Sequence, residues 1–578
     1  MLRRLNSQAK PHTLTAALAL AAIVLTGSAA AWGAAKQVDV PPPPMGWSSW
    51  NSFSNTVDSA VIQAQAKAMI STGLHEAGYR YINIDEGWWL GQRDKDGNIV
   101  VEAKQWPAIA TGEQAGDMAN IVRYIHGLGL KAGIYTDAGL DGCSTVGPDL
   151  GPSYPHTGSE GHYEQDFLQF AKWGFDYVKV DWCGGDKEHL NAATQYTAIA
   201  KAIARAESMT GHHVYFSICN WGNQNPWSWA PGVGGVAADI WRTGGDIVAP
   251  IVANTKNADR KAEFKEVLRE FDQAQHPEAQ HSGFYNDPDM MVVGMAGLTE
   301  QQNRAHMSLW AISGGPLLLG ADLTKLTVTD LTTLTNPDVV RIDQDALGLQ
   351  CVKVAEPAPG LEVWAKPLST SGERAVLLLN RTAAPAPIAV RWSDLGLRGD
   401  APAAVRDVWA QSDLGEMDVS YAPTVSAGDV AMFLVLGSEG AMTANFPKEA
   451  KPDEVNAPGA AQGEPKTAEV KKDLPAAQSA IPDKNAPVTF AGVVSRFPIA
   501  RIRIAYVNPD KTPRFAELRV NGGAATRIAF PSTGDSTIGT LSIESHLRSR
   551  VDAGGAKNTL TFSFPGGDAP AIESISLQ

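Results

Sequence analysis

From Val40 to Asp345 short apolar runs alternate with stretches whose apolar residues recur at helical spacing. The strand-like runs begin at Met45, Tyr81, Lys131, Tyr177, Val214, Asp239, Met290 and Leu317. Between them lie amphipathic segments. Asp58 is placed to cap a helix running through Met69, with Gly73 as its stop, and Ile121 to Leu128 and Asp166 to Trp173 repeat the pattern. Eight strand–helix units in this length predict a (β/α)8 TIM barrel over residues 37–345, in the α/β class. From 346 to 440 the period falls to two, with Val-rich runs such as Leu361 to Ala365 separated by Gly and Pro turns, which predicts an antiparallel β-sandwich domain. Residues 441–486 are rich in Pro, Ala, Lys and Glu and read as a flexible linker. Alternation returns over 487–578 (Arg501 to Tyr506, Thr559 to Phe564), predicting a further C-terminal β-sandwich, an accessory domain on a tether.

Composition narrows this picture. Hydrophobic residues make up 44% of the 578, enough for large cores, and 62 acidic against 48 basic side chains leave a net charge of -14. That balance argues against a nucleic-acid partner, which needs a basic footprint. Arg3 and Arg4 precede an apolar run from about Leu14 to Ala31 and a small-residue stretch, so 1–35 reads as a secretory signal peptide. The expected location is secreted or periplasmic, with no membrane association after cleavage. Only four cysteines are present, Cys143, Cys183, Cys219 and Cys351, so at most two disulfides are possible. The histidines lack metal-ligand spacing, and Gly127-Leu128-Gly129 precedes a strand where a dinucleotide loop would follow one; no metal and no cofactor are expected.

Active sites of such barrels form at the C-terminal ends of the strands. Acidic residues stand at four of them: Asp85-Glu86, Asp181, Asp246 after Trp241-Arg242, and Asp287-Pro288-Asp289. Aspartates there also serve as helix caps, but glycoside cleavage requires paired carboxyl groups facing one sugar, and four clusters beside tryptophans suit a carbohydrate cleft. Lys179 and Asp181, two apart on one strand, face the same side. The lysine would keep the carboxylate ionised, and an isolated pair of this kind also reads as a buried structural ion pair. Trp227 and Trp229, between the fifth and sixth strands, suit either stacking on an aglycone or loop packing.

The ordered motifs Met45-Gly46-Trp47-Ser48-Ser49-Trp50-Asn51, Tyr81 to Asp85, Gly133-Ile134-Tyr135, Lys179-Val180-Asp181-Trp182-Cys183, Asn286-Asp287-Pro288-Asp289-Met290 and Leu309 to Ile312 resemble glycoside hydrolase family 27, the α-galactosidase and α-N-acetylgalactosaminidase family. The resemblance implies a retaining exo-glycosidase acting on terminal α-D-galactosides, with Asp181 as nucleophile and Asp246 as acid/base, their carboxyl groups about 5 Å apart. It also implies sugar contacts from Trp50, Asp85, Glu86, Tyr135, Lys179, Asn220, Arg242, Asp289 and Met290, and a Cys143–Cys183 disulfide. Glu86 stands where the family usually has Asp. Its extra methylene would push a carboxylate toward the galactose hydroxymethyl group, so a β-L-arabinopyranosidase is the alternative, worth only about 1–3 kcal/mol of discrimination. Asn220 suits a free 2-hydroxyl. A carbohydrate-binding protein without catalysis would not need both aspartates. The C-terminal segment faintly resembles a carbohydrate-binding module.

Overall fold

The computed structural model describes residues 38–39, 41–146, 155–231, 238–248, 259–280, 283–440, 486–494, 499–510, 512–533, 539–547, 557–565 and 569–577. The signal peptide expected at 1–35 and nearly all of the linker expected at 441–486 lie outside them.

Eight short parallel strands carry the first part of the chain: β1 (Met45–Ser48), β2 (Tyr81–Asn83), β3 (Lys131–Asp137), β4 (Tyr177–Asp181), β5 (Tyr215–Cys219), β6 (Ile240–Arg242), β7 (Tyr285–Asp287) and β8 (Leu317–Leu319). They pair in the order β7-β6-β5-β4-β3-β2-β1-β8, and a parallel bridge between Met291 and Leu319 joins the two ends. The seventh strand is thus Tyr285–Asp287, where the sequence pattern suggested Met290 to Val293. Pro288 has no N–H to continue the ladder, and Asp289 turns with φ 89°. This moves Asp289 and Met290 from before a strand to just beyond its C-terminal end, where ligands are bound in this architecture.

The helices follow their local chemistry. In α1 (Ser59–Ser71) the Asp58 carboxylate accepts the N–H of Val61 at 2.8 Å, and Gly73 turns the chain at φ 83°. Helices α2 (Ala119–Gly127), α3 (Tyr163–Trp173) and α4 (Ala192–Thr210) bury Ile, Val, Phe and Ala faces against the sheet. Two more close the ring, α5 (Phe264–Gln273) and α6 (Glu300–Ser313), the latter with a Thr299/Gln302 capping box.

Beyond the barrel an antiparallel sheet runs in the order β9 (Val352–Ala358), β10 (Leu361–Pro367), β11 (Glu373–Asn380), β14 (Asp429–Leu436), β12 (Ala403–Asp407) and β13 (Ser412–Met417). One face adds Leu377, Leu379, Met432 and Leu434 to the barrel core, and the other buries Val376, Leu378, Phe433 and Val435 under Trp392. The ammonium of Lys366 crosses this junction to donate to the Ala311 carbonyl of α6 at 3.0 Å.

The last part forms two antiparallel sheets, β15-β20-β17-β18 and β19-β16-β21, from β15 (Val488–Val494), β16 (Ile499–Val507), β17 (Arg514–Val520), β18 (Ala525–Phe530), β19 (Gly539–His546), β20 (Lys557–Ser563) and β21 (Ala571–Leu577). Ile502, Leu518, Ile543 and Phe562 fill the space between them. Far from hanging free, this sandwich packs Phe515 and Ala529 on Leu347 and Leu349, with Arg527 4.1 Å over the Phe515 ring.

Candidate active site

Parallel pairing sets β3, β4 and β5 so that Tyr135, Lys179 and Ser217 stand side by side, and Asp137, Asp181 and Cys219 one step further on. Side chains two apart share a face, so one registration sends both rows to the same end of the barrel. Asp181 ends β4 with 4% of its surface exposed. Its Oδ1 accepts the Trp182 N–H at 3.0 Å, and Lys179 Nζ lies 3.3 Å from Oδ2. The same ammonium donates to Asp85 Oδ2 at 3.0 Å and sits 5.2 Å over the Tyr135 ring. Asp85 is held in turn by the Ser48 hydroxyl at 3.2 Å, while its own N–H donates to Ser49 Oγ at 2.9 Å.

A second linked set comes from β6 and β7. The Arg242 guanidinium, 5% exposed, reaches Asp289 Oδ1 at 2.7 Å and Asp246 Oδ1 at 3.1 Å, and also donates to the Gly244 and Gly245 carbonyls. Asp289 Oδ2 accepts the Ile247 N–H at 2.8 Å. Asp246 stays open to solvent, its side chain 41% exposed. Lys179, Asp85, Arg242, Asp289 and Met290 line one open pocket of about 420 Å³, mouth included.

Burial raises the pKa of Asp181; Lys179 opposes that, Asp85 adds to it, and Asp246 adds further. Lys179 therefore moderates a pKa that desolvation has lifted, and does not by itself hold the group at an ordinary value.

The remaining expected contacts have the following surroundings. Glu86 is fully buried, and Ser144 donates to both its oxygens, from the hydroxyl at 2.6 Å and from N–H at 2.9 Å. Its carboxyl group is thus seated on the short helix Cys143–Val146, and burial lifts its pKa to about 8. Asn220 donates its amide to the Asn223 carbonyl of its own loop, and its Oδ1 has no partner among the described residues. Tyr135, 1% exposed, packs against Trp89 and points its hydroxyl at Cys143. Trp50 is nearly buried at the start of the helix that follows β1. Trp227 stacks on His276 and Trp229 on Tyr196, so both take the packing role.

Cys143 and Cys183 are bonded, fastening that short helix to the end of β4, and Cys219 and Cys351 are free and buried. Asp137, Asp181 and the two bonded sulfurs cluster within 4.8 Å of one another, but a disulfide offers no thiolate to a metal. Ser48, Cys219 and Asp287 also line the pocket, as does Ser217, which went unread in the sequence. The available signal was strand alternation: Ser217 and Cys219 are two apart, as are Lys179 and Asp181 beside them.

Comparison with known proteins agrees with this geometry. Residues 42–345 match the family model described as Alpha galactosidase A, 358–435 the Alpha galactosidase C-terminal beta sandwich domain, and 488–577 the Alpha-galactosidase, CBM13 domain. The chain is 37% identical over 384 residues to an alpha-galactosidase of Oryza sativa subsp. japonica, spanning 66% of this chain and 82% of the relative. It is 42% identical over 340 residues to Alpha-galactosidase A of Cellvibrio japonicus, spanning 59% and 76%. The crystal structure of alpha-galactosidase I from Mortierella vinacea superposes with a TM-score of 0.59 at 27% identity, over 69% of this chain and 98% of that one. A family model covering more than half the chain, and relatives matched over most of their own length, make this chain a member of the α-galactosidase family of glycoside hydrolases.

Proposed function

We propose that the chain hydrolyses terminal α-D-galactosides by double displacement, with Asp181 as nucleophile and Asp246 as acid/base. The observation that carries this reading is the pair itself: a strand-borne carboxylate and a loop-borne carboxyl group, each held by its own cation at the C-terminal ends of the barrel strands. In the first step an Asp181 oxygen bonds to the anomeric carbon as the bond to the leaving oxygen breaks, and Asp246 gives that oxygen its proton. In the second step Asp246 takes a proton from water, whose oxygen displaces Asp181 and restores the original anomeric configuration. Lys179, Asp85, Arg242 and Asp289 suit the ring hydroxyls, because each presents a charge along the pocket wall.

The galactoside is preferred over the β-L-arabinopyranoside because the relatives matched at 37–42% identity are alpha-galactosidases. The export signal read at 1–35 and the Cys143–Cys183 disulfide fit an enzyme working outside the cytoplasm. No helix among the described residues is long and apolar enough to cross a membrane. The test follows hydrolysis of 4-nitrophenyl α-D-galactoside by proton NMR, with 4-nitrophenyl β-L-arabinopyranoside alongside. The first sugar released should be α-galactose, and Asp181→Asn should lower kcat by more than about a thousandfold. Release of β-galactose first, or an active Asp181→Asn, would overturn the mechanism.

A further inference from the structure

The loop Thr243-Gly244-Gly245-Asp246 lies directly on helix α5. A Cβ added to Gly244 would fall 1.9 Å from Glu270 Oε2 and 2.3 Å from Gln273 Oε1, so these two carboxyl and amide ends pack against the bare glycine backbone and would have to move for any larger residue. Glu270 is fully buried beneath it and accepts from Arg269 Nε at 2.8 Å. Arg269 Nη2 in turn donates to the backbone carbonyl of Asp246 itself, at 3.0 Å. Arg242 holds the Asp246 side chain from the barrel side while Arg269 holds its backbone from the helix side, so the loop lies between two guanidinium groups.

We propose that Arg269 and Glu270 are positioning residues for the acid/base: Arg269 fixes the loop through the Asp246 carbonyl, and the buried Glu270 carboxylate holds Arg269 in place. This rests on Asp246 being the acid/base. A general acid must meet the leaving oxygen at hydrogen-bond distance, so a loop that wanders costs most where the leaving group needs its proton. Removing either residue should loosen the loop and misplace the Asp246 carboxyl group.

Raffinose and 4-nitrophenyl α-D-galactoside separate these effects, because nitrophenolate departs with little help from an acid and a sugar alkoxide does not. Glu270→Gln should lower kcat/KM for raffinose about tenfold more than for the nitrophenyl substrate. Arg269→Met, on a half-exposed side chain, should likewise lower raffinose turnover more than nitrophenyl turnover. If Glu270→Gln does not fold, Arg269→Met alone decides. Equal losses on both substrates would assign the pair a merely structural role and overturn the inference. Asp246→Ala is the control: if it does not itself spare the nitrophenyl substrate relative to raffinose, the acid/base assignment fails, and not only this extension of it.

Discussion

Asp181 illustrates how a single side chain balances opposing demands. Its strand buries it, which raises its pKa, while the ammonium two residues earlier lowers it. In the nucleophilic role proposed for it Asp181 must be ionised, so activity should fall on the acid side as it takes up a proton. Lys179→Met removes the lowering influence, so the acid limb of kcat/KM should move to higher pH. An unmoved limb would mean that Lys179 serves only the sugar. The Lys-x-Asp spacing was legible in the sequence because strands alternate. The seat of Glu86 was not, because Ser144 is 58 residues away and reaches it only through the fold. Asp137 escaped notice for a similar reason: its pairing with Asp181 is a property of register, not of either segment alone.

At the scale of elements, the repeating strand–helix pattern made the barrel legible, since a period of two or of 3.6 survives in any single segment. The seventh strand misled because Met290 to Val293 is the more apolar run, while Tyr285–Asp287 buries a polar pair, with Asn286 taking the Trp241 indole N–H at 2.8 Å. Apolarity marks what is buried, not which residues make the ladder. The disulfide belongs to this scale as well, tying the short helix that carries Ser144 to the end of β4 across 40 residues. Closing a loop of that length stabilises by about 4 kcal/mol in the chain-entropy account. A Cys143→Ser, Cys183→Ser double variant should unfold several degrees lower in scanning calorimetry, and an unchanged Tm would show that the native packing already fixes this loop. The hold of helix α5 on the loop runs through the Arg269 side chain and a backbone carbonyl 23 residues away, a contact that no periodicity reports.

For the whole molecule, the sandwich after residue 486 is best understood by what it touches. It contains no Trp, and its one tyrosine, Tyr506, is 1% exposed, so neither residue offers a sugar an exposed ring to stack on. It does cover Leu347 and Leu349 at the start of the second domain. Ending the chain after Gly440 should uncover those leucines, each worth about 1.5–3 kcal/mol when fully buried, and lower the Tm while leaving kcat on raffinose unchanged. A truncated enzyme with full thermal stability would show that the contact contributes nothing. The two ionic clusters described above also divide the catalytic centre along the chain: Asp85, Lys179 and Asp181 come from before the exposed turn at Gly211, and Arg242, Asp246 and Asp289 from after it. On the roles proposed above the enzyme is two half-sites, one to furnish the attacking oxygen and the other the proton. A break introduced at Gly211 would leave neither fragment competent alone, and turnover regained on mixing would make the molecule a reporter of its own reassembly.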